Sequence, residues 1–154
     1  MFLSPLLLLL LHDCWFFLVH SALHRSKMLY ATIHAWHHER NAPSAFDVFY
    51  MHPVESFTAV VVPFLLVPRF IPIHWFIWEG MLAKGIMIDV YGHCGFDASP
   101  FHPFKVTQFS IVPRFPYKTV FLAAKHHDDH HRYRTCNYSL YFPVWDRVFG
   151  TYKA

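Results

Sequence analysis

The sequence is short of charge. Only 15% of its 154 residues are Asp, Glu, Lys or Arg, where a soluble globular domain carries about 25%. With 55% hydrophobic residues it lacks the polar side chains for an ordinary aqueous surface, and a disordered or collagen-like chain is excluded. Cysteine is scarce too. Cys14, Cys94 and Cys136 are odd in number and form no CxxC, so neither a disulfide framework nor a thiolate zinc site is implied. A formal net charge of +3 is too small to point to nucleic acid. No Gly-rich dinucleotide fingerprint, haem-attachment motif or HExxH is present. Nor is there an internal repeat, a low-complexity tract or an interdomain linker, so residues 1–154 read as one domain.

What the chain does have is aromatic residues, at 19%, and long apolar runs. Phe2 to Val19 is apolar apart from Ser4, Pro5, His12 and Asp13, close to the roughly 20 residues that cross a hydrocarbon core. A signal peptide is the rival reading. No basic residue precedes the leucines, however, and the following His20-Ser21-Ala22 is not an A-x-A cleavage site. The run begins so near Met1 that further spans are expected upstream. A polar, histidine-rich stretch follows from Arg25 to Met51. Next, Phe57 to Val67 and Phe70 to Tyr91 read as the arms of a helical hairpin, crossing or re-entrant, that turns at Pro68-Arg69. Gly92 to Pro116 reads as a connection, Val120 to Arg132 as a helix, and the tail as a short amphipathic element ended by Gly150. The expected fold is all-α: a membrane-embedded helical bundle with a His-rich helical cap.

Arg69 marks the far turn of this hairpin and Lys84 lies within an arm. The other eleven of thirteen basic residues fall on one side, the asymmetry expected of a cytoplasmic face. The histidine clusters fall on that same side.

Histidine is the outlying residue, with 14 against 10 carboxylates. His20 and His24 form HxxxH; His34, His37 and His38 form HxxHH; His93 lies in GHCG; and His127, His130 and His131 form a second HxxHH within HHDDHH. Residues three and four apart share a helix face, so each group can aim imidazoles at an ion and each HxxHH can serve two. Imidazole suits Zn, Cu, Fe and Ni. Nine nitrogens are too many for one tetrahedral ion and divide between two metals, with room left for O2 or water. Asp13, two turns before His20, is placed to orient a ligand. His52 and Glu55 in HPVE, and His126 and Asp128 beside the last cluster, are candidates for support of the metal ligands. The isolated His12, His74 and His102 read as structural.

The order HxxxH, HxxHH, HPxE, apolar hairpin, GHxG and HxxHH, closed by Asn137, Trp145-Asp146-Arg147 and Gly150-Thr151, resembles the fatty acid hydroxylase superfamily from Asp13 to Thr151. Sterol desaturases, C-4 methylsterol oxidases, and sterol and fatty acid hydroxylases belong to that superfamily. The resemblance implies a membrane-bound non-haem diiron oxygenase of the endoplasmic reticulum. It would use O2 to hydroxylate or desaturate a sterol or fatty acyl lipid, with His20, His24, His34, His37, His38, His93, His127, His130 and His131 as iron ligands. Zinc is an alternative occupant of the purified site. Electrons would come from an external carrier such as cytochrome b5 and its reductase. Two other classes stay open: a zinc-dependent membrane hydrolase with Glu39 or Asp128 as base, and a non-catalytic metal-binding membrane fragment.

Overall fold

A computed structural model describes residues 3–94, 122 and 124–154. Every regular element among them is helical. His102, most of the expected 92–116 connection and the start of the expected helix from Val120 lie outside the described residues.

The leucine run forms α1, Leu3–Arg25. Leu8, His12, Asp13, Phe17 and His20 are buried along one side, while Leu6, Leu7, Leu11 and Leu18 remain exposed. A helix that is apolar on its outer face as well as its inner one is suited to lipid contact. Ser26 caps the short α2, Lys27–Leu29, by accepting from the Leu29 N–H at 3.3 Å. The chain then widens into a π turn at Tyr30–His34 and tightens to 3-10 turns at His37–Glu39 and Asp47–Phe49.

His52 opens the next helix. Its Nδ1 accepts from the Val54 N–H at 3.2 Å, and Pro53 occupies the first turn, where a missing N–H costs nothing. This α3, Pro53–Glu55, runs through a π turn at Ser56–Val61 into α4, Val62–Phe70. The π turn precedes Pro63, whose ring would clash with the carbonyl four residues back in a regular helix. The first arm is thus the whole of Pro53–Phe70, 18 residues, and starts earlier than the apolar run suggested. Its break falls after Phe70 rather than at Pro68-Arg69. Ile71 is extended, with φ −122° and ψ 109°, because it precedes Pro72 and proline disfavours the helical region for its predecessor. Pro68 stays within the last turn.

His74 then caps α5, Trp75–Gly92, accepting from the Phe76 N–H at 3.3 Å. Phe64 and Trp78 join α4 to α5 with ring centroids 5.0 Å apart. Two helices among the described residues, Pro5–Arg25 and Pro53–Phe70, are long and apolar enough to cross a membrane; α5 has the length but carries Glu79, Lys84 and Asp89. The remaining helices are α6, Ala124–Tyr133, and α7, Val144–Val148.

The C-terminal segment is folded around buried carboxylates. Asp146 Oδ1 accepts from the Tyr138 N–H at 2.8 Å and the Thr151 hydroxyl at 2.7 Å, and Oδ2 accepts from the Ser139 N–H at 2.9 Å. Asn137, at φ 56°, donates to the carbonyls of His126 and Lys153 and accepts from the Lys153 N–H. Asp13 reaches across from α1: Oδ1 accepts from the amides of Leu140 at 2.9 Å and Tyr141 at 2.7 Å, and Oδ2 from Phe142 at 3.3 Å. Consecutive N–H groups converging on an anion form a nest, and this one ties α1 to the C-terminal segment. The adjoining Tyr141 brings its hydroxyl against α5 at Gly85: a Cβ there would stand 2.8 Å from that hydroxyl, and the tyrosine would have to shift.

Replacing either carboxylate by an amide turns an acceptor oxygen into a donor facing a backbone N–H. Asp13→Asn and Asp146→Asn are expected to cost about 3 kcal/mol each, read as a fall of several degrees in the melting temperature of the detergent-solubilised protein. Glu79→Gln, on an exposed part of α5, should leave it unchanged.

Candidate metal centre

The nine clustered histidines converge from four stretches of the chain into two adjoining groups. His20, His24, His34, His38 and His130 form one and His37, His93, His127 and His131 the other, with the ligand atoms of each group within 4.8 Å of one another. The i,i+4 pairs (20/24, 34/38, 127/131) each stay within one group, and the lone members cross: His37 joins the histidines of α6, and His130 joins those of α1. The two groups abut through sequence neighbours, with His38 and His131 ring centroids 4.5 Å apart. The 34–38 stretch is not the regular helix its spacing suggested. The π turn ends at His34 and the 3-10 turn begins at His37, so the His37 and His38 rings stand at 83° to each other.

Backbone carbonyls set the ring orientations. A carbonyl can only accept, so the proton sits on Nδ1 of His20, which donates to Tyr138 O at 2.8 Å. The same holds for His93 donating to Asp89 O and His130 donating to Cys136 O, each at 2.8 Å. His34 Nδ1 meets Glu55 Oε1 at 2.8 Å. Each of these rings therefore turns an Nε2 lone pair inward. There the nitrogens crowd: His34 to His24 at 2.8 Å, His130 to His38 and His127 to His93 at 3.0 Å, His131 to His127 at 3.1 Å. Metal–nitrogen bonds of about 2.1 Å place neighbouring ligand nitrogens about 3 Å apart. Lone pairs converging at that spacing in a buried space are what a cation relieves, and the all-imidazole donor set suits a borderline transition metal. The residues fit a pair of such ions.

The electrostatics agree. Burial, reinforced by neighbouring imidazoles, holds His37, His38, His127 and His130 well below the ordinary histidine range. Burial lowers His34 and His131 to about 3. All are neutral at physiological pH, the state that binds metal.

The other expected site residues are placed as follows. Glu55, buried, bonds His34. His52 caps its own helix and packs its ring 5.0 Å from Trp36. Asp13 meets the amides of 140–142 rather than an imidazole, so any influence on the centre passes through the backbone that carries Tyr138. His126 Nε2 lies 3.1 Å from the Tyr152 hydroxyl, turned away from its neighbour His127. Asp128 is half-buried on α6 and Glu39 is exposed. Among the isolated histidines, His12 packs between Phe64 and Tyr141 and His74 caps α5. Sequence reasoning missed the carbonyls of Asp89, Cys136 and Tyr138, because every residue has a carbonyl and only folding selects which ones meet a ring.

The lowered values have a consequence for the metal-free protein. Below pH 6.5 the unfolded chain takes up protons that the folded one refuses, so stability falls as pH falls. Each such histidine should cost about 1.4 kcal/mol at pH 5.5. Acidification from pH 7.5 to 5.5 is expected to lower the melting temperature of the metal-free protein; a rise would contradict the buried neutral cluster.

Comparison with known proteins accords with this geometry. Residues 5–151 match the profile of the family described as fatty acid hydroxylase. Methylsterol monooxygenase 1 of Rattus norvegicus is 33% identical over 144 residues, covering 92% of this chain and 43% of that protein. Lathosterol oxidase of Rattus norvegicus is 28% identical over 141 residues, covering 92% and 42%. Cholesterol 25-hydroxylase-like protein of Danio rerio is 31% identical over 147 residues, covering 93% and 53%. The chain thus spans about half the length of these curated relatives or less. No solved structure matches. With the profile matched across nearly all of its length, this chain belongs to the fatty acid hydroxylase family.

Proposed function

We propose that the chain carries the catalytic centre of a membrane-bound non-haem diiron oxygenase that hydroxylates or desaturates a lipid, with a sterol as the favoured substrate. The observation that carries this reading is the two-group convergence of nine neutral imidazoles beside helices apolar enough to sit in lipid. The names of the relatives add the substrate class, since a methylsterol, lathosterol and cholesterol are all sterols.

His20, His24, His34, His38 and His130 would hold one iron, and His37, His93, His127 and His131 the other. Two irons supply, from O2 and two electrons, the power to break an unactivated C–H bond that no side chain has. The chain's own residues do the rest. Glu55 and the carbonyls of Tyr138, Asp89 and Cys136 fix the imidazoles. The buried position excludes water, and α1, α4 and α5 border the route by which a lipid arrives. The electrons would come from an external carrier such as cytochrome b5, docking on the basic side that the histidines share, which is the cytoplasmic face of the endoplasmic reticulum on this reading. A zinc hydrolase is disfavoured because Glu39, one of its two candidate bases, is exposed.

The test is metal analysis of the purified chain together with lipid profiling of cells that express it. Two irons per chain and an O2-dependent, oxidised or newly unsaturated lipid are expected. Zinc with O2-independent turnover would replace this reading with the hydrolase. His130→Ala and His37→Ala, one from each group, should each abolish turnover and lower bound iron by about half or more; His74→Ala, a helix cap, should keep the full complement. Unchanged iron in both ligand variants would refute the assignment.

A further inference from the structure

Glu55 has one oxygen unaccounted for. Oε1 holds the His34 ring, but Oε2 is buried with no hydrogen-bond partner among the described residues, and the side chain is only 7% exposed. A buried acceptor left unpaired costs about 1–3 kcal/mol, so it marks a place where something else binds. Glu55 lines a recess shared with His20, His37, His93 and His127, members of both histidine groups, with a second carboxyl residue, Asp89, and with apolar side chains that include Phe16, Met51 and Val60. The recess encloses about 20 Å³, room for one water-sized or hydroxyl-sized group but not for a ring system. Phe16, Met51 and Val60 are half-buried, so an apolar body can lie along them while a polar tip enters.

We propose that Glu55 is a positioning residue for substrate: Oε2 accepts a hydrogen bond from the hydroxyl of a lipid alcohol and so selects the carbon that reacts. This rests on the lipid-oxygenase reading above and goes beyond it. The hydroxyl would be held one carboxylate and one imidazole away from the ion that His34 binds. The carbon presented to the centre is therefore close to the hydroxyl, on the ring that bears it, and not at the far end of the lipid. A fatty acyl chain without a hydroxyl would leave Oε2 unpaired and bind less well.

Cholestanol and cholestanone differ only in carrying an alcohol or a ketone at one ring carbon. Each is titrated, without reductant, into the iron-loaded chain in nanodiscs, with iron measured on the same samples. In the iron-loaded chain the His34 Nδ1–H donates to Glu55 and the nearby cations favour its ionised form, which accepts and does not donate, so the alcohol is expected to bind about tenfold more tightly than the ketone. Glu55→Gln keeps an oxygen for His34 and offers an N–H to the recess, so this preference should shrink to about threefold or less, or reverse. Equal binding of alcohol and ketone to the wild type, or an undiminished preference in an iron-replete Glu55→Gln, overturns the proposal. Should Glu55→Gln lose its iron, the wild type alone decides. Oxidation within about three bonds of the hydroxyl supports the anchor, and oxidation at the far end of the lipid overturns it. Absence of any O2-dependent turnover would instead strike the oxygenase reading, since the binding preference is measured without turnover.

Discussion

Everything in this structure answers to one electrostatic constraint: nine neutral imidazoles brought together in a buried space with their lone pairs facing inward. Such an array is unfavourable for the protein alone. Desolvation and mutual repulsion both oppose its protonation, and the four rings whose Nδ1 is committed to an outer acceptor offer their neighbours only a lone pair. The array persists because the surrounding fold over-determines each ring. The carbonyls of Tyr138, Asp89 and Cys136 and the carboxylate of Glu55 fix four of them directly. Cations bound between the nitrogens would then contribute folding stability as well as chemistry.

The carbonyls are held in turn by a second set of buried anions. Asp146 binds the amides of Tyr138 and Ser139, and Asp13 binds those of the next three residues. Asn137 ties the same segment to α6 and to the chain end. This explains the closing sequence motif in physical terms: the Asn, Asp and Thr residues touch no imidazole, yet they build the strap that presents the carbonyls at 136 and 138 to His130 and His20. Irregular backbone has a similar purpose at 30–39. A regular helix would send His34, His37 and His38 out at fixed angles, and the change from π to 3-10 turns lets the first and last serve one group while the middle one serves the other.

The lipid side meets the metal side at Glu55. It stands one turn inside a helix that is apolar enough for a bilayer, holds a histidine with one oxygen and keeps the other buried and unpartnered beside the recess it lines. A side chain that bridges ligand and substrate couples metal geometry to substrate position, so the choice of reacting carbon and the integrity of the centre depend on one carboxylate.

How much of this was legible in the residues differs from element to element. Composition and apolar runs pointed to helices, two of which among the described residues are long and apolar enough to cross a membrane, because hydropathy over 18–25 residues depends only on which residues are adjacent. Spacing and family resemblance together picked out the nine clustered histidines, and Glu55 as their companion. The helix end expected at Pro68-Arg69 falls after Phe70 because two prolines compete: Pro68 is absorbed in a last turn, whereas Pro72 forces Ile71 out of the helix. Asp13 shows the limit most clearly. Its position two turns from His20 is a local fact, but its partners lie about 127 residues away in the chain, and no periodicity reports them. The sequence by itself determined which side chains could bind metal and which segments could enter lipid, since both follow from residue type and short-range spacing. Only the tertiary structure decided how the histidines divide between two groups, which carbonyls lock them and which oxygen of Glu55 is left without a partner, because those depend on contacts between distant segments that exist only once the chain has folded.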